Sequence, residues 1–330
     1  MPIHNLGYRE WDGERLSGGS RWSVICSVGI RRAWQSAWLR RIAFVVWAPP
    51  LIFAVLVFGF EQILASPNSD MALRQIVSAT RWFNILPADV VVALEQIAER
   101  LQDPSDETRL SIRPIFWKSV LLQLQRSQCI GLVFVVSLIA PPLISQDVRS
   151  RAFLLYFSRP LTRFQYIMGK FATVASFLLL TCTLPQLLLY VFAVLLSPDI
   201  SVVAYTWDLP FRSLVASSTM IIPTTMLALM LSSLTTETRF ATFGWFIIWI
   251  FGLITYLTVL GLSDGTPGVQ RLSFLFLLFN DLSTWILGIE NDLQMSGLTP
   301  HVDMQFAFVL GLTAICAAVV YRRVSAPLSA

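Results

Sequence analysis

Six long apolar stretches recur along the chain, and polar or basic segments separate them. Each approaches the roughly 20 residues that an α-helix needs to cross the hydrocarbon core of a bilayer. The pattern therefore predicts an all-α membrane protein with six transmembrane helices. The predicted spans cover residues 42–60, 128–144, 169–196, 211–234, 240–262 and 304–321.

Prolines interrupt the apolar pattern inside the first three of these spans, and Pro223 lies in the middle of the fourth. Because proline lacks the backbone N–H that a helix uses, each interruption predicts a kink or a break. We expect a kink at Pro49 and Pro50 in the first span and an interruption at Pro185 in the third. The second span is predicted to break at Pro141 and Pro142.

The polar residues inside the spans are almost all Ser, Thr and Gln. Side chains of this kind commonly form hydrogen bonds between transmembrane helices, and we prefer that role to contacts with a transported molecule. The set comprises Gln186, Ser217, Ser218, Thr219, Thr224, Thr225, Ser232 and Ser233.

Residues 1–41 are predicted to form a polar cytoplasmic tail followed by an amphipathic helix at the membrane interface. Trp22, Trp34 and Trp38 recur near helical spacing, and arginines such as Arg31 lie among them. A basic helix with tryptophan on its apolar side suits the headgroup region. Two roles stay open, an anchor for the first span and a contact with a cytoplasmic partner. No cleavage site follows the first apolar run, so we expect that span to be retained.

The remaining chain, residues 42–330, is the predicted transmembrane domain, and a polar insertion separates its first two spans. This insertion covers residues 61–113 and contains an acidic amphipathic helix near residues 86–103. We therefore expect a small helical cap on the extracytoplasmic side.

A second unusual segment precedes the last span. Residues 272–289 are apolar, but Asn280 and Asp281 divide them near the midpoint. A full span with a central aspartate is costly in a bilayer. We therefore predict a re-entrant hairpin over residues 270–290, with Asn280 and Asp281 at its turn, in preference to a seventh span.

The basic residues predict the orientation. Lys and Arg concentrate in cytoplasmic loops close to membrane spans. In a six-span topology, 15 of the 24 Lys and Arg residues fall on the side that carries both termini. We therefore expect both termini in the cytoplasm and the protein in the inner (plasma) membrane.

Composition and missing motifs argue against several functions. Only 13% of the residues are charged, against roughly 25% in soluble domains. His4 and His301 lie outside the spans, whereas ion-coupled carriers generally use an acid or a histidine inside the membrane. The four cysteines show no metal or disulfide spacing. Nothing predicts a resident metal, a bound cofactor or a nucleic-acid partner.

Neither a nucleotide site nor a catalytic site is predicted. The nearest match to a phosphate-binding loop, at Gly169 and Lys170, lacks the first glycine and the hydroxyl of that motif. An intramembrane enzyme would need converging catalytic groups, and Asp281 and Glu290 are the only candidates. We therefore predict that this chain is not an enzyme and that any energy comes from a partner.

The loop at residues 145–168 is the best candidate for contact with such a partner. Its apolar segment at residues 153–157 lies between arginines, as a docked amphipathic element requires. The predicted docking residues are Asp147, Arg149, Arg151, Phe153, Leu154, Phe157, Arg159, Pro160 and Arg163.

Residues 147–170, DVRSRAFLLYFSRPLTRFQYIMGK, resemble the first cytoplasmic loop of type-two ABC export permeases. Members of that family typically carry an acid, a GTL-like stretch, LLSRPISR and then YLLGK before the third span. The external insertion looks like those of the nitrous-oxide-locus and sodium-export-like branches. One departure from the family pattern is that Ala152 and Phe153 stand where a Gly-Thr pair is common.

The resemblance implies a permease homodimer or heterodimer bound to separate ABC ATPase subunits, which hold ATP and Mg. The loop would then be a coupling helix seated in a groove on the ATPase. A non-transporting membrane scaffold or assembly factor of the same shape is the alternative.

Overall fold

The structure is a computed structural model that describes residues 21–64, 106–152, 161–197, 202–262, 269–289 and 301–325. Within these ranges every regular element is helical. Six stretches are long and apolar enough to cross a membrane, which confirms a six-span, multi-pass helical membrane protein. They are Ala37–Ile63, Arg113–Arg149, Arg163–Leu196, Val202–Leu234, Thr238–Leu262 and Val302–Ser325.

We number the described α-helices in chain order. They are α1 (Arg21–Trp34), α2 (Ala37–Val46), α3 (Ala48–Leu64), α4 (Asp106–Arg149), α5 (Arg163–Leu178), α6 (Leu184–Leu196), α7 (Val202–Thr206), α8 (Leu209–Leu234), α9 (Thr238–Leu262), α10 (Leu275–Leu287) and α11 (Val302–Ser325).

The central pair of helices is α4 and α8, which pack along each other and bury side chains such as Leu132 and Leu229 completely. On its other sides α8 contacts α10 and α11. In contrast, α9 leaves large apolar side chains such as Phe240 and Phe251 exposed. Apolar exposure of this kind fits a helix that faces lipid or a second membrane chain.

The first span bends where its prolines predict. Helix α2 ends at Val46, and α3 begins at Ala48, directly before Pro49 and Pro50. Between the two helices, Trp47 N–H donates to Phe44 O at 3.1 Å, a bond that spans three residues. Such tightened turns are common at helix ends. The helix is therefore interrupted directly before the two prolines.

The third span is also interrupted near its proline. A π-helical turn, Leu179–Thr183, separates α5 from α6, and Pro185 lies in the first turn of α6. Proline is tolerated in a first turn because the N–H it lacks has no partner there.

The predicted break of the second span at Pro141 and Pro142 is wrong, because α4 continues through both prolines to Arg149. A serine of a neighbouring helix explains the continuity. Ser232 Oγ of α8 donates to Pro141 O at 2.6 Å and accepts from the backbone N–H of Ile144 at 3.1 Å. Neighbouring helices can in this way satisfy backbone groups that a proline disturbs.

Two further side chains of the predicted polar set, Gln186 and Ser217, join helices, whereas Ser218, Thr219, Thr224 and Ser233 bond within α8 itself. Gln186 Nε2 of α6 donates to Gln128 Oε1 of α4 at 2.9 Å. Thr183 Oγ1 in the π-helical turn donates to Ser217 Oγ of α8 at the same distance. Hydrogen bonds of this type stabilise helix pairs in membranes by about 0.6 kcal/mol each.

The flanks of the predicted insertion lie together, although its central helix near residues 86–103 is outside the described ranges. Glu61 in the last turn of α3 pairs with Arg113 of α4 at 3.2 Å, and Trp117 Nε1 donates to Glu61 at 3.3 Å. The rings of Phe60 and Phe116 stack beside this pair. The chain therefore leaves and re-enters the bundle at one place.

The turn predicted at Asn280 and Asp281 is wrong, because α10 passes through both residues without a break. The chain instead bends at Phe274, between a 3-10 turn (Val269–Ser273) and α10, and α10 ends at Gly288 with a φ of 74°. With 13 residues, α10 is shorter than a span requires. The re-entrant hairpin over residues 270–290 stays a prediction.

Candidate functional site

Three side chains join the two helices that flank the predicted docking loop. Tyr166 Oη donates a hydrogen bond to Asp147 Oδ2 at 2.7 Å, and Lys170 Nζ lies 2.7 Å from the same oxygen. Asp147 is 8% exposed and Tyr166 is fully buried. We call these residues the Asp147 cluster. It connects the end of α4 to the start of α5.

Local sequence places the partners of Asp147 on one face of α5. Thr162 caps the helix, and Gln165 completes a capping box, so α5 begins at Arg163. Tyr166 and Lys170 then lie four residues apart and therefore on the same side of the helix. Lys170 Nζ also lies 5.3 Å from the centroid of the Tyr166 ring.

The connection between α8 and α9 contacts the same end of α4. Ser145 Oγ lies 3.2 Å from Thr238 Oγ1, and Arg149 pairs with Glu237 at 3.3 Å on the surface. We call this end of the molecule, with the ends of α4, α5, α8 and α9, the basic end. The connection between α8 and α9 is thus tied to α4.

Helix α1 packs on α5 through two glycines. A Cβ atom at Gly29 would lie 2.5 Å from Thr173 Oγ1, and one at Gly169 would lie 2.7 Å from Ile25 Cβ. Such short distances leave no room for a side chain at either position. Farther along, the Trp34 and Phe177 rings stack with centroids 5.8 Å apart. Helix α1 is therefore part of the bundle at the basic end.

A cleft of about 400 Å³ opens between α1, α4 and α5. One part of its wall is polar, with Arg32, Gln146, Asp147 and Lys170. Arg32 Nη2 donates to Gln146 Oε1 at 2.7 Å across the cleft. Apart from Ser36, which caps α2, the rest of the wall is apolar. The site at the basic end therefore combines a buried ion pair with an open amphipathic cleft.

The structure places only some of the predicted docking residues. Arg149 and Arg151 are exposed at the end of α4, where Arg151 has a left-handed φ of 52°. Arg163 is the first residue of α5, and Asp147 lies in the cluster described above. The remaining predicted docking residues, Phe153, Leu154, Phe157, Arg159 and Pro160, lie outside the described residues.

Tyr166 and Lys170 were not among the site residues predicted from the sequence. One signal was available in the sequence. Residues 145–170 contain five basic residues and a single acid, Asp147. A single acid in a basic segment that also contains Tyr166 and Lys170, four residues apart, favours an ion pair. Nothing in the spacing, however, shows that this acid is buried.

Asn280 and Asp281 belong to a separate polar cluster between α4, α10 and α11. Asp281 accepts from Arg271 Nη1 at 2.8 and 3.0 Å and from Gln305 Nε2 at 3.2 Å. Asn280 Oδ1 accepts from Arg126 of α4. These bonds tie Asp281 to Arg271 and to Gln305 of α11, which indicates a role in packing.

The other catalytic candidate, Glu290, lies outside the described ranges. In the part of the chain that the structure describes, no three His, Cys, Asp or Glu side chains converge to hold a metal ion.

Comparison with known proteins adds no assignment. No model of a protein family matches the chain, and no curated protein matches it either.

Proposed function

We propose that this chain is the membrane-spanning permease subunit of an ATP-driven exporter of the type-two ABC class. The observation that carries the proposal is the Asp147 cluster, a buried ion pair that joins both helices flanking a short amphipathic loop. A loop held in this way transmits a displacement to two spans together, because neither helix end moves without the other.

The continuity of α4 supports the same role. The helix passes Pro141 and Pro142 without a break and is joined by Ser232 to α8. A push on the loop at residues 153–160 would therefore reach the central helix pair. In this proposal a separate ATPase holds ATP and Mg, and its closure rocks the spans between two states.

The charge distribution supports a cytoplasmic position for the loop. Arg149 and Arg151 are exposed at the basic end, and Arg322 and Arg323 lie in the last turn of α11. Basic residues at the ends of spans face the cytoplasm in most membrane proteins. The basic end would then meet a cytoplasmic ATPase, with the protein in the plasma membrane as a homodimer or heterodimer.

Copurification with the ATPase encoded nearest to this chain tests the docking role. Replacing Phe153, Leu154 and Phe157 by Asp should abolish association, because an apolar groove on the ATPase would have to accept charge. The control is Tyr321→Asp, which changes an exposed aromatic residue next to Arg322 and Arg323 near the end of α11. Unchanged association of the triple variant would refute the docking role.

Reconstitution in liposomes separates a transporter from a scaffold. An exporter should show ATP-dependent movement of a substrate, and the triple loop variant should lose it while still inserting into the membrane. If the wild-type chain stimulates the ATPase but moves no candidate ion, lipid, sugar or drug, the scaffold or assembly role replaces this proposal.

A further inference from the structure

The cleft between α1, α4 and α5 is amphipathic along its length. Val24 and Val28 line it from α1, and Leu138 and Leu143 line it from α4. Val24, Val28 and Leu138 are all well exposed. At about 400 Å³ the cleft falls within the range of small-molecule sites, and its walls offer an apolar chain a continuous surface.

The polar part of the cleft carries a cation without a counter-charge. Lys170 is neutralised by Asp147 at 2.7 Å. Arg32 donates only to the neutral amide of Gln146, and no carboxylate in the described ranges forms an ion pair with it. A guanidinium presents several donors in a fixed fork that matches a phosphate group.

The position of α1 indicates which type of ligand would reach the cleft. Trp22, Trp34 and Trp38 are exposed on or next to this helix, and tryptophans of this kind mark the headgroup level of a bilayer. Arginine side chains in helices reach toward the polar surface while their stems stay on apolar neighbours. Arg32 therefore presents its charge at the level where lipid phosphates lie.

We infer that the cleft is a binding site for one anionic phospholipid of the surrounding bilayer. Its phosphate pairs with Arg32, and one acyl chain lies along Val28, Leu138 and Leu143. The site is independent of any transport activity. A lipid held there would connect α1 to α4, whereas the two glycine contacts connect α1 to α5.

Photolabelling of the full chain in lipid nanodiscs tests the site. The probes are phosphatidylglycerol and phosphatidylcholine with a diazirine on one acyl chain, supplied separately at equal mole fraction. We expect phosphatidylglycerol to label peptides that contain Val28 and Leu138, and phosphatidylcholine to label them less. Arg32→Gln should lower the phosphatidylglycerol label about tenfold, the loss expected for one hydrogen bond between charged groups.

Arg31→Gln is the matched control, because Arg31 is exposed on the same helix and does not line the cleft. It removes the same charge and should leave the label unchanged. Val28→Trp, at an exposed position, should fill the cleft and reduce labelling by both lipids. Circular dichroism and gel filtration check that each variant keeps its fold.

Several results would overturn the inference. Equal labelling by the two lipids, or an equal loss in both arginine variants, would mean that bulk charge or plain bilayer contact accounts for the signal. Absence of label at Val28 and Leu138 would mean that other residues of the chain cover the cleft. Displacement of the lipid by glycerol phosphate alone would show that the acyl chain is not recognised.

Discussion

At the scale of single residues, the ion pair between Asp147 and Lys170 stands out because both side chains are 11% exposed. Removing one partner of a buried pair leaves an uncompensated charge and typically costs about 3–5 kcal/mol. Asp147→Asn should therefore lower the free energy of unfolding by an amount near that range. Thermal unfolding of the purified protein in detergent measures it.

The exposed pair between Arg149 and Glu237 provides the control for Asp147→Asn. Surface pairs contribute about 0–1 kcal/mol because solvent screens them. Glu237→Gln should therefore change the unfolding temperature little. The double variant of Asp147→Asn with Lys170→Met should recover part of the loss, since no charge then remains buried. Equal effects of Asp147→Asn and Glu237→Gln would contradict a buried role for the cluster.

Ser232 is a second residue whose substitution should lower stability. Its hydroxyl is fully buried and bonds to Pro141 O and to the N–H groups of Ile144 and Ser145. Ser232→Ala removes these three bonds from a buried turn, at a cost of about 1–3 kcal/mol, although Pro141 O also accepts from Ser145 Oγ at 2.6 Å. Hydrogen exchange of the peptide at residues 140–149 should become faster.

Ser233→Ala is the control for Ser232→Ala. Ser233 Oγ donates to Met230 O within its own helix, and that carbonyl already has a helical partner. Its loss should leave exchange in residues 140–149 unchanged. If both alanine variants behave alike, the continuity of α4 does not depend on the contact with α8.

At the scale of helices, the contact of α1 with α5 depends on Gly29. A leucine there would have to displace Thr173, because a Cβ already lies 2.5 Å from its hydroxyl. We expect Gly29→Leu to detach α1 and expose Cys26, which is buried in this contact and lies 4.0 Å from Ser176. Maleimide labelling of a variant that keeps only Cys26 measures the exposure.

Gly59→Leu is the matched control, because a Cβ at Gly59 meets no atom within 4 Å. Labelling of Cys26 should rise with Gly29→Leu and stay low with Gly59→Leu. Low labelling in both variants would mean that α1 accommodates the leucine without leaving α5.

Helices and their interruptions were not equally predictable from the sequence. The spans follow from local hydropathy, and the bends at Trp47 and before Pro185 follow from the chemistry of nearby prolines. Pro141 misled the prediction, because the hydroxyl that stabilises its turn comes from Ser232, about ninety residues away. Contacts over that distance carry no local pattern in one sequence.

The prediction of a turn at Asn280 and Asp281 was wrong for the same reason. An aspartate in an apolar run predicts a break only if its charge is unpaired. Arg271 lies ten residues earlier and Gln305 twenty-four residues later, and both bond to the carboxylate. Of the candidate site, the acid Asp147 was predicted, whereas its partners Tyr166 and Lys170 required the packing of α5 on α4.

At the scale of the whole molecule, the orientation in the membrane decides whether the proposed function is possible. An ATPase that uses cytoplasmic ATP must meet the docking loop in the cytoplasm. Ser150 is exposed at the basic end, and Trp207 is exposed at the opposite end, before α8. In a chain without other cysteines, Trp207→Cys should react with an impermeant maleimide on intact cells.

Ser150→Cys should react only after the cells are opened. Both substitutions are at exposed positions, so neither should disturb packing, and a denatured sample gives the maximal label for each. The reverse pattern would place the loop at residues 153–160 outside the cytoplasm, where no ATPase could reach it. The transport proposal would then fail even with the Asp147 cluster intact, whereas the lipid site at Arg32 would survive and move to the outer leaflet.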